Sequence, residues 1–236
     1  MELNKIYHMD CLEGMGLIKD KSIDMILCDL PYGTTRNKWD TVLPFKVVWS
    51  HYERIIKDNG AIVLTAQTPF DKVLGCSNLK LLRYEWIWEK EFATGFLNAN
   101  RMPLKKHENI LVFYKKSPVY NPQFTSGKPY KAGRSSYTTN YGKFDPNKKP
   151  DNSGFRYPKS VLQFKHDQKR LHPTQKPVAL FEYLIRTYTD EGDTVLDNCM
   201  GSGTTAIACI KANRNFIGFE IQKEYVDIAS NRLRQF

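Results

Sequence analysis

The segment that most constrains this chain is Ile23-Asp24-Met25-Ile26-Leu27-Cys28, followed at once by Asp29-Leu30-Pro31-Tyr32-Gly33. A short, mostly apolar run of this kind reads as a strand buried on both faces of a parallel sheet. An acid, a proline and an aromatic at its carboxyl end lie where open α/β sheets hold their ligands. Asp29 accepts hydrogen bonds, Pro31 restricts the backbone so that nearby carbonyls point one way, and Tyr32 offers a flat face for a base. The set suits a planar ligand with an exocyclic amino group. An ordinary strand-to-loop turn uses the same residue types, so the choice rests on the remainder of the chain.

Both flanks continue an alternating rhythm. Lys5 to Asp10 predicts a strand, with a short helix from Cys11-Leu12. Val47 to Lys57 has helical spacing and a stop at Asn59-Gly60, and Ala61 to Thr65 predicts a buried strand. A helix follows Pro69, then strands at Arg83–Trp88 and Ile110–Tyr114. After an irregular stretch the rhythm returns, with a helix over Pro177–Tyr188 and a strand at Thr194–Asp197. A helix at Thr204–Asn213, a strand at Asn215–Ile221 and a last helix from Glu224 to Phe236 complete it. The pattern predicts an α/β fold in two parts, 1–116 and 171–236, around an insertion at 117–170.

That insertion holds the charge. Between Lys115 and Arg170 stand thirteen Lys/Arg against three Asp and no Glu, which accounts for the whole formal charge of +10. Six of the twelve prolines and nine Tyr/Phe fall between 117 and 170. Disordered tails are poor in aromatics, so the segment is expected to be irregular but partly ordered. Cations interleaved with rings suit nucleic acid, phosphates meeting the first and bases the second. Arg134, Lys143, Lys148, Lys149 and Arg156 are the candidate nucleic-acid contacts. Five cysteines with no CxxC spacing argue against a disulfide framework or a zinc site and for a reducing cytoplasm. With no leader-like opening and no run of the roughly 18–20 apolar residues that a span needs, no membrane partner is expected.

The second constellation is Asp197, then Gly201-Ser202-Gly203, a helix, a strand and Glu220. Glycines let backbone approach a ligand, and the helix that follows turns its amides toward a carboxylate or phosphate. Glu220 lies 17 residues past Gly203, near the ~20 expected of an acid on ribose hydroxyls. Thr204 and Thr205 leave the dinucleotide fingerprint without its third glycine. A nucleoside smaller than a dinucleotide fits better, and Asp197 could meet a cationic amine.

At this point the chain resembles a family, the DNA amino-methyltransferases, which use S-adenosylmethionine to methylate N6 of adenine or N4 of cytosine. Asp29-Leu30-Pro31-Tyr32 is similar to their Asp-Pro-Pro-Tyr motif, and Asp197-Asn198-Cys199-Met200-Gly201-Ser202-Gly203-Thr204-Thr205 to their cofactor loop. His172-Pro173-Thr174-Gln175-Lys176-Pro177 and His107-Glu108-Asn109-Ile110-Leu111-Val112-Phe113 resemble two further stretches. The motif order is that of the permuted beta group, in which the insertion is the target-recognition region. The resemblance implies a Rossmann-like, seven-stranded, S-adenosylmethionine-dependent methyltransferase fold. It implies Asp10 and Cys11 beside the cofactor's adenine, Ile221 on its ring, and Glu220 on the ribose. Lys176, Thr204 and Thr205 are implied at its methionine end. Leu30 replaces the first proline of the motif but supplies the same backbone carbonyl. Asn198-Cys199 replaces Pro-Phe, removing an aromatic near the cofactor.

The expected reaction is direct methyl transfer to a base flipped out of double-stranded DNA. Tyr32 stacks on the base while Asp29 and the Leu30 carbonyl accept from its amino group. No metal is expected. In this family Asp at the first motif position favours adenine N6. The alternatives are cytosine-N4 transfer, an RNA or protein-amide methyltransferase, and a catalytically weakened DNA-binding homologue. A companion restriction endonuclease and the oligomeric state stay open.

Overall fold

The computed structural model describes every residue except 36, 38, 39, 132–151, 169 and 170. At its centre β2 (Ile23–Cys28) pairs in parallel with β3 (Ile56–Ala66) on one side and β9 (Thr194–Asp197) on the other. Outward from β9 come β10 (Asn215–Glu220) and β1 (Lys5–His8), both parallel. Outward from β3 come antiparallel β5 (Lys105–Phe113) and then β4 (Leu82–Thr94). These are the seven strands expected, and the three-residue β8 (Val161–Gln163) adds to the β4 edge.

The alternation along β2 divides the core. Ile26 and Cys28 pack with Met15, Trp49, Tyr52, Phe70 and Phe113, under α1 (Cys11–Gly16), α2 (Phe45–Ile55) and α3 (Phe70–Ser77). Met25 and Leu27 pack with Trp86, Trp88, Phe181, Leu184 and Ile207, under α4 (Val178–Tyr188) and α5 (Thr204–Lys211). Each fully buried aliphatic side chain contributes roughly 1.5–3 kcal/mol. The fold therefore rests on strands that are apolar on both faces. Helix α6 (Lys223–Leu233) closes the chain.

Several boundaries differ from the sequence reading, most of all around α2, β3, β4 and β5. Helix α2 ends two residues short of Lys57, because Ile56 is extended (φ −70°, ψ 139°) and pairs with Ile23. The Asn59-Gly60 pair is not a helix stop but lies within β3, where its register against β2 shifts between Ile23 and Met25. A Cβ on Gly60 would come within 2.7 Å of the Asp24 carbonyl, so only glycine allows that approach. Strands β4 and β5 also run past the apolar runs, to Thr94 and back to Lys105, through charged residues.

The chain divides into two compact units, one of residues 1–121 with 160–236 and the other of 122–159. In the second, β6 (Thr125–Ser126) pairs antiparallel with β7 (Phe155–Arg156), and Phe124 packs edge-on against Tyr157 at 4.8 Å. Among the described residues no helix is long and apolar enough to cross a membrane.

Candidate active site

The strands β1, β2, β9 and β10 are parallel, so Asp10, Asp29, Asp197 and Glu220 all emerge at one edge of the sheet. They line a cavity of about 740 Å³, within the roughly 300–1,000 Å³ of small-molecule sites. Cys11, Leu30, Pro31, Tyr32, Lys176, Gly201, Thr204 and Ile221 line the same cavity. Of the fourteen positions the sequence points to for catalysis or cofactor, the sheet order brings twelve to this wall.

The other two, Gly203 and Thr205, act behind the wall. Gly203 (φ 84°) is the N-cap of α5, and a Cβ there would stand 2.9 Å from the Ala229 Cβ on α6. Thr205 is fully buried and donates its hydroxyl to the Asp197 carboxylate, which also accepts the Cys199 amide at 3.0 Å. Burial raises Asp197 to about 6, against the pull of those hydrogen bonds. The departure at Asn198-Cys199 is accommodated by a new bond, since Asn198 accepts the Tyr52 hydroxyl at 2.5 Å and ties the loop to α2.

Glu220 joins the loop to β10. Its two carboxylate oxygens accept the amides of Gly201 and Gln222, each at 2.8 Å. Burial raises its pKa, and these amides oppose the rise. Asp10 caps α1 through the Leu12 amide at 2.8 Å.

Around Asp29 the structure is dense. Its Oδ1 accepts the Tyr32 hydroxyl at 2.7 Å and the Thr65 hydroxyl, and its Oδ2 accepts Lys176 Nζ at 2.6 Å. Tyr32 stacks on Phe70 at 4.8 Å, and Lys176 Nζ stands 5.5 Å from the Tyr32 ring centre. Burial, then the charges of Asp29 and Glu108, hold the Tyr32 phenol well above its ordinary pKa. Burial lowers Lys176, but Asp29 and Glu108 outweigh it and hold the ammonium above its ordinary value. Lys176 therefore stays charged although it is only 6% exposed. The loop after Tyr32 is pinned by Asp40, which accepts the amides of Gly33, Thr34 and Thr35 at 2.6–2.9 Å. Burial acts to raise Asp40, yet those bonds carry it below the usual carboxylate range.

Sequence reasoning missed Lys90, Glu108, Thr65 and Asp40. Lys90 and Glu108 occupy the charged ends of β4 and β5, beyond the apolar runs that mark the strands. Glu108 does fall inside the His107-to-Phe113 stretch, and an acid next to a buried apolar run was the available signal. Of the proposed DNA contacts, Arg134, Lys143, Lys148 and Lys149 lie outside the described residues. Arg156 is half-buried, bonded to Asn152 and the Lys128 carbonyl, and lies 4.7 Å from the Tyr130 ring centre.

His172 packs its ring 4.2 Å from that of Tyr225, and burial lowers its pKa from 6.5 to about 4. The unfolded chain thus takes up the proton first. Stability from neutral His172 is present above about pH 6.5 and is lost as the pH falls through 4. Asp197 works in the opposite sense, its contribution being present below 3.8 and lost as the pH rises through about 6. Denaturant unfolding of wild type and His172→Asn between pH 4 and 7 separates the two. The wild-type advantage shrinks toward the acid end, and a gap independent of pH contradicts the assignment.

Residues 23–231 match a protein family described as DNA methylase. The chain is 30% identical to Type II methyltransferase M1.MboII of Moraxella bovis, over 100% of this chain and 98% of that one. It is 28% identical to DNA adenine methyltransferase YhdJ of Escherichia coli (strain K12), over 98% and 83%. Its fold matches the crystal structure of an M1.HpyAVI–SAM complex with a TM-score of 0.65 and 27% identity, covering 97% of this chain and 98% of that one. PvuII DNA methyltransferase (cytosine-N4-specific) shares the fold at a TM-score of 0.71 with 16% identity, covering 97% and 85%.

Proposed function

The chain belongs to the DNA methylase family, and we propose that it transfers a methyl group from S-adenosylmethionine to the exocyclic N6 of adenine in duplex DNA. The observation that carries this reading is the single cavity lined by both Asp29-Tyr32 and the Glu220–Gly201 turn. An acceptor for an amino group thereby faces the same space as an acceptor for ribose hydroxyls.

The cofactor is S-adenosylmethionine, and the residues present fit it. Glu220 keeps free lone pairs for ribose hydroxyls beside its two amide bonds. Cys11 and Ile221 supply an apolar border for a purine, and Asp197 a carboxylate for a cationic amine. When bound, the cofactor supplies an electrophilic methyl on a sulfonium. The protein's task is then positioning and electrostatics. Asp29 and the Leu30 carbonyl accept from the target amino group, which directs its lone pair toward the methyl. Tyr32, braced by Phe70, offers its ring to the base. The base leaves the stack to reach this depth.

Asp rather than Ser at the head of the motif supports adenine. The basic insertion, including Arg134, Lys143, Lys148, Lys149 and Arg156, supports duplex DNA as partner. The unit containing the cavity adds a hairpin between β4 and β5 that exposes Phe96, Leu97 and Met102. Likeness to type II methyltransferases supports a companion restriction endonuclease. The cytoplasm, where the DNA of a bacterial cell lies, is the expected compartment.

The test is to incubate the protein with duplex DNA and methyl-labelled S-adenosylmethionine, digest to nucleosides and identify the labelled one. Label on N6-methyladenine is expected. Label on N4-methylcytosine overturns the base assignment and keeps the mechanism. Cofactor binding without label on several long DNAs overturns the reading.

A further inference from the structure

Asp29 begins a row of four buried or half-buried charges, Asp29, Lys176, Glu108 and Lys90, all lining the cavity. Lys90, 4% exposed, holds Glu108 Oε1 at 3.2 Å. Lys176 Nζ is bonded to Asp29 Oδ2 at 2.6 Å and stands 3.3 Å from Glu108 Oε2. That second approach has ion-pair distance without good hydrogen-bond geometry, and among the described residues no other donor meets the buried Glu108 Oε2. Buried carboxylate oxygens are rarely left so, and an unmet one is a reason to look for the group that fills it.

The group is already next to it. Oδ1 of Asp29 holds two donors, Tyr32 and Thr65, so Oδ2 is the oxygen open to a target amino group. Lys176 occupies that oxygen. An ammonium there competes for the acceptor and also opposes the positive charge that builds on the amino nitrogen as it takes the methyl. A shift of under about an ångström toward Glu108 frees the acceptor and lessens the opposition, because hydrogen bonds of this type close at about 2.7–2.9 Å.

We propose that Glu108, anchored by Lys90, is a positioning residue that draws Lys176 off Asp29 when the target amino group arrives. Lys176 is thus a two-position cation. It caps Asp29 in the empty site and moves to Glu108 in the loaded one, where the unmet oxygen receives it. The inference rests on the methyl-transfer reading above and adds to it the device that frees the acceptor.

The test uses the full chain, duplex DNA and labelled S-adenosylmethionine under single-turnover conditions. Glu108→Gln keeps the shape but leaves Lys176 only Asp29 to hold. The expected result is a rate lowered by about 100-fold, a size typical of a lost transition-state interaction. Cofactor affinity stays close to wild type, while the melting temperature falls because buried Lys90 loses its carboxylate. The decisive comparison is a cycle with Lys176→Met. Once Lys176 is absent there is nothing to draw off, so Glu108→Gln adds no further loss. A purely structural Glu108 instead gives losses that multiply, and that result overturns the proposal, as does an unimpaired Glu108→Gln. If Glu108→Gln does not fold, Lys90→Met carries the same cycle, because it loosens the carboxylate without removing it. An active wild type with additive losses overturns this inference alone, whereas a wild type that methylates nothing overturns the parent reading and this inference with it.

Discussion

Asp29→Ala is expected to lower the single-turnover rate of methyl transfer by about 10³-fold, the upper range for removing one preorganised polar group from a reacting centre. Asp29 is the one carboxylate at the end of β2, and three donors converge on it from different elements. Its loss removes the acceptor that orients the amino group. It also leaves the Tyr32 hydroxyl to Thr65 Oγ1, at 3.2 Å, and Lys176 with Glu108 as its remaining acid among the described residues. Cofactor affinity is expected to stay within a few-fold, because Glu220, Asp197 and Asp10 are untouched. The measurement is label transfer alongside cofactor titration of the same preparation. Asp29→Asn separates charge from shape. It retains an oxygen acceptor but not the charge, so its rate is expected to lie between alanine and wild type. An alanine variant with a tenth or more of the wild-type rate removes Asp29 from the mechanism.

The second large effect is on stability. Gly203→Ala is expected to cost about 2–5 kcal/mol, adding roughly 1–2 for left-handed backbone to about 1–3 for overpacking. Gly203 has φ 84°, and the new methyl would meet Ala229 Cβ at 2.9 Å and its Cα at 3.3 Å. Relief requires α5 and α6 to part. The turn that ties Gly201 to Glu220 then shifts, so cofactor affinity falls as well. Gly201→Ala is the matched control. It also has positive φ (51°), but its nearest contact is His172 at 3.8 Å, so only the backbone preference is lost. Denaturant midpoints of the two variants should differ clearly, with Gly203→Ala the lower. Equal midpoints remove the α6 contact from the explanation.

These two effects mark how much of the site can be read along the chain. Asp29, Asp197 and Glu220 each follow a short apolar run directly, so the residue and its place at the sheet edge come from the same few letters. The Gly201–Gly203 turn is legible for the same reason. Lys90 is not, since it lies in a charged extension of β4 that no apolar period marks, and Glu108 is marked only by the apolar run that follows it in β5. The end of α2 is not legible either, because Asn59-Gly60 signals a local irregularity without saying which element it interrupts. Only the close pass of Gly60 against Asp24 shows that the break lies within a strand.

By itself, then, the sequence determined the alternating α/β class, the acids at the strand ends, the glycine turn and the basic insertion. All of these are properties of neighbours along the chain, where burial, periodicity and backbone freedom act over a few residues. Tertiary structure alone decided which charges meet. Lys176 and Asp29 are 147 positions apart, and Lys90 and Glu108 reach the same cavity from antiparallel strands. Their pairing follows from strand order, and ion pairing between side chains so far apart leaves no local pattern to read.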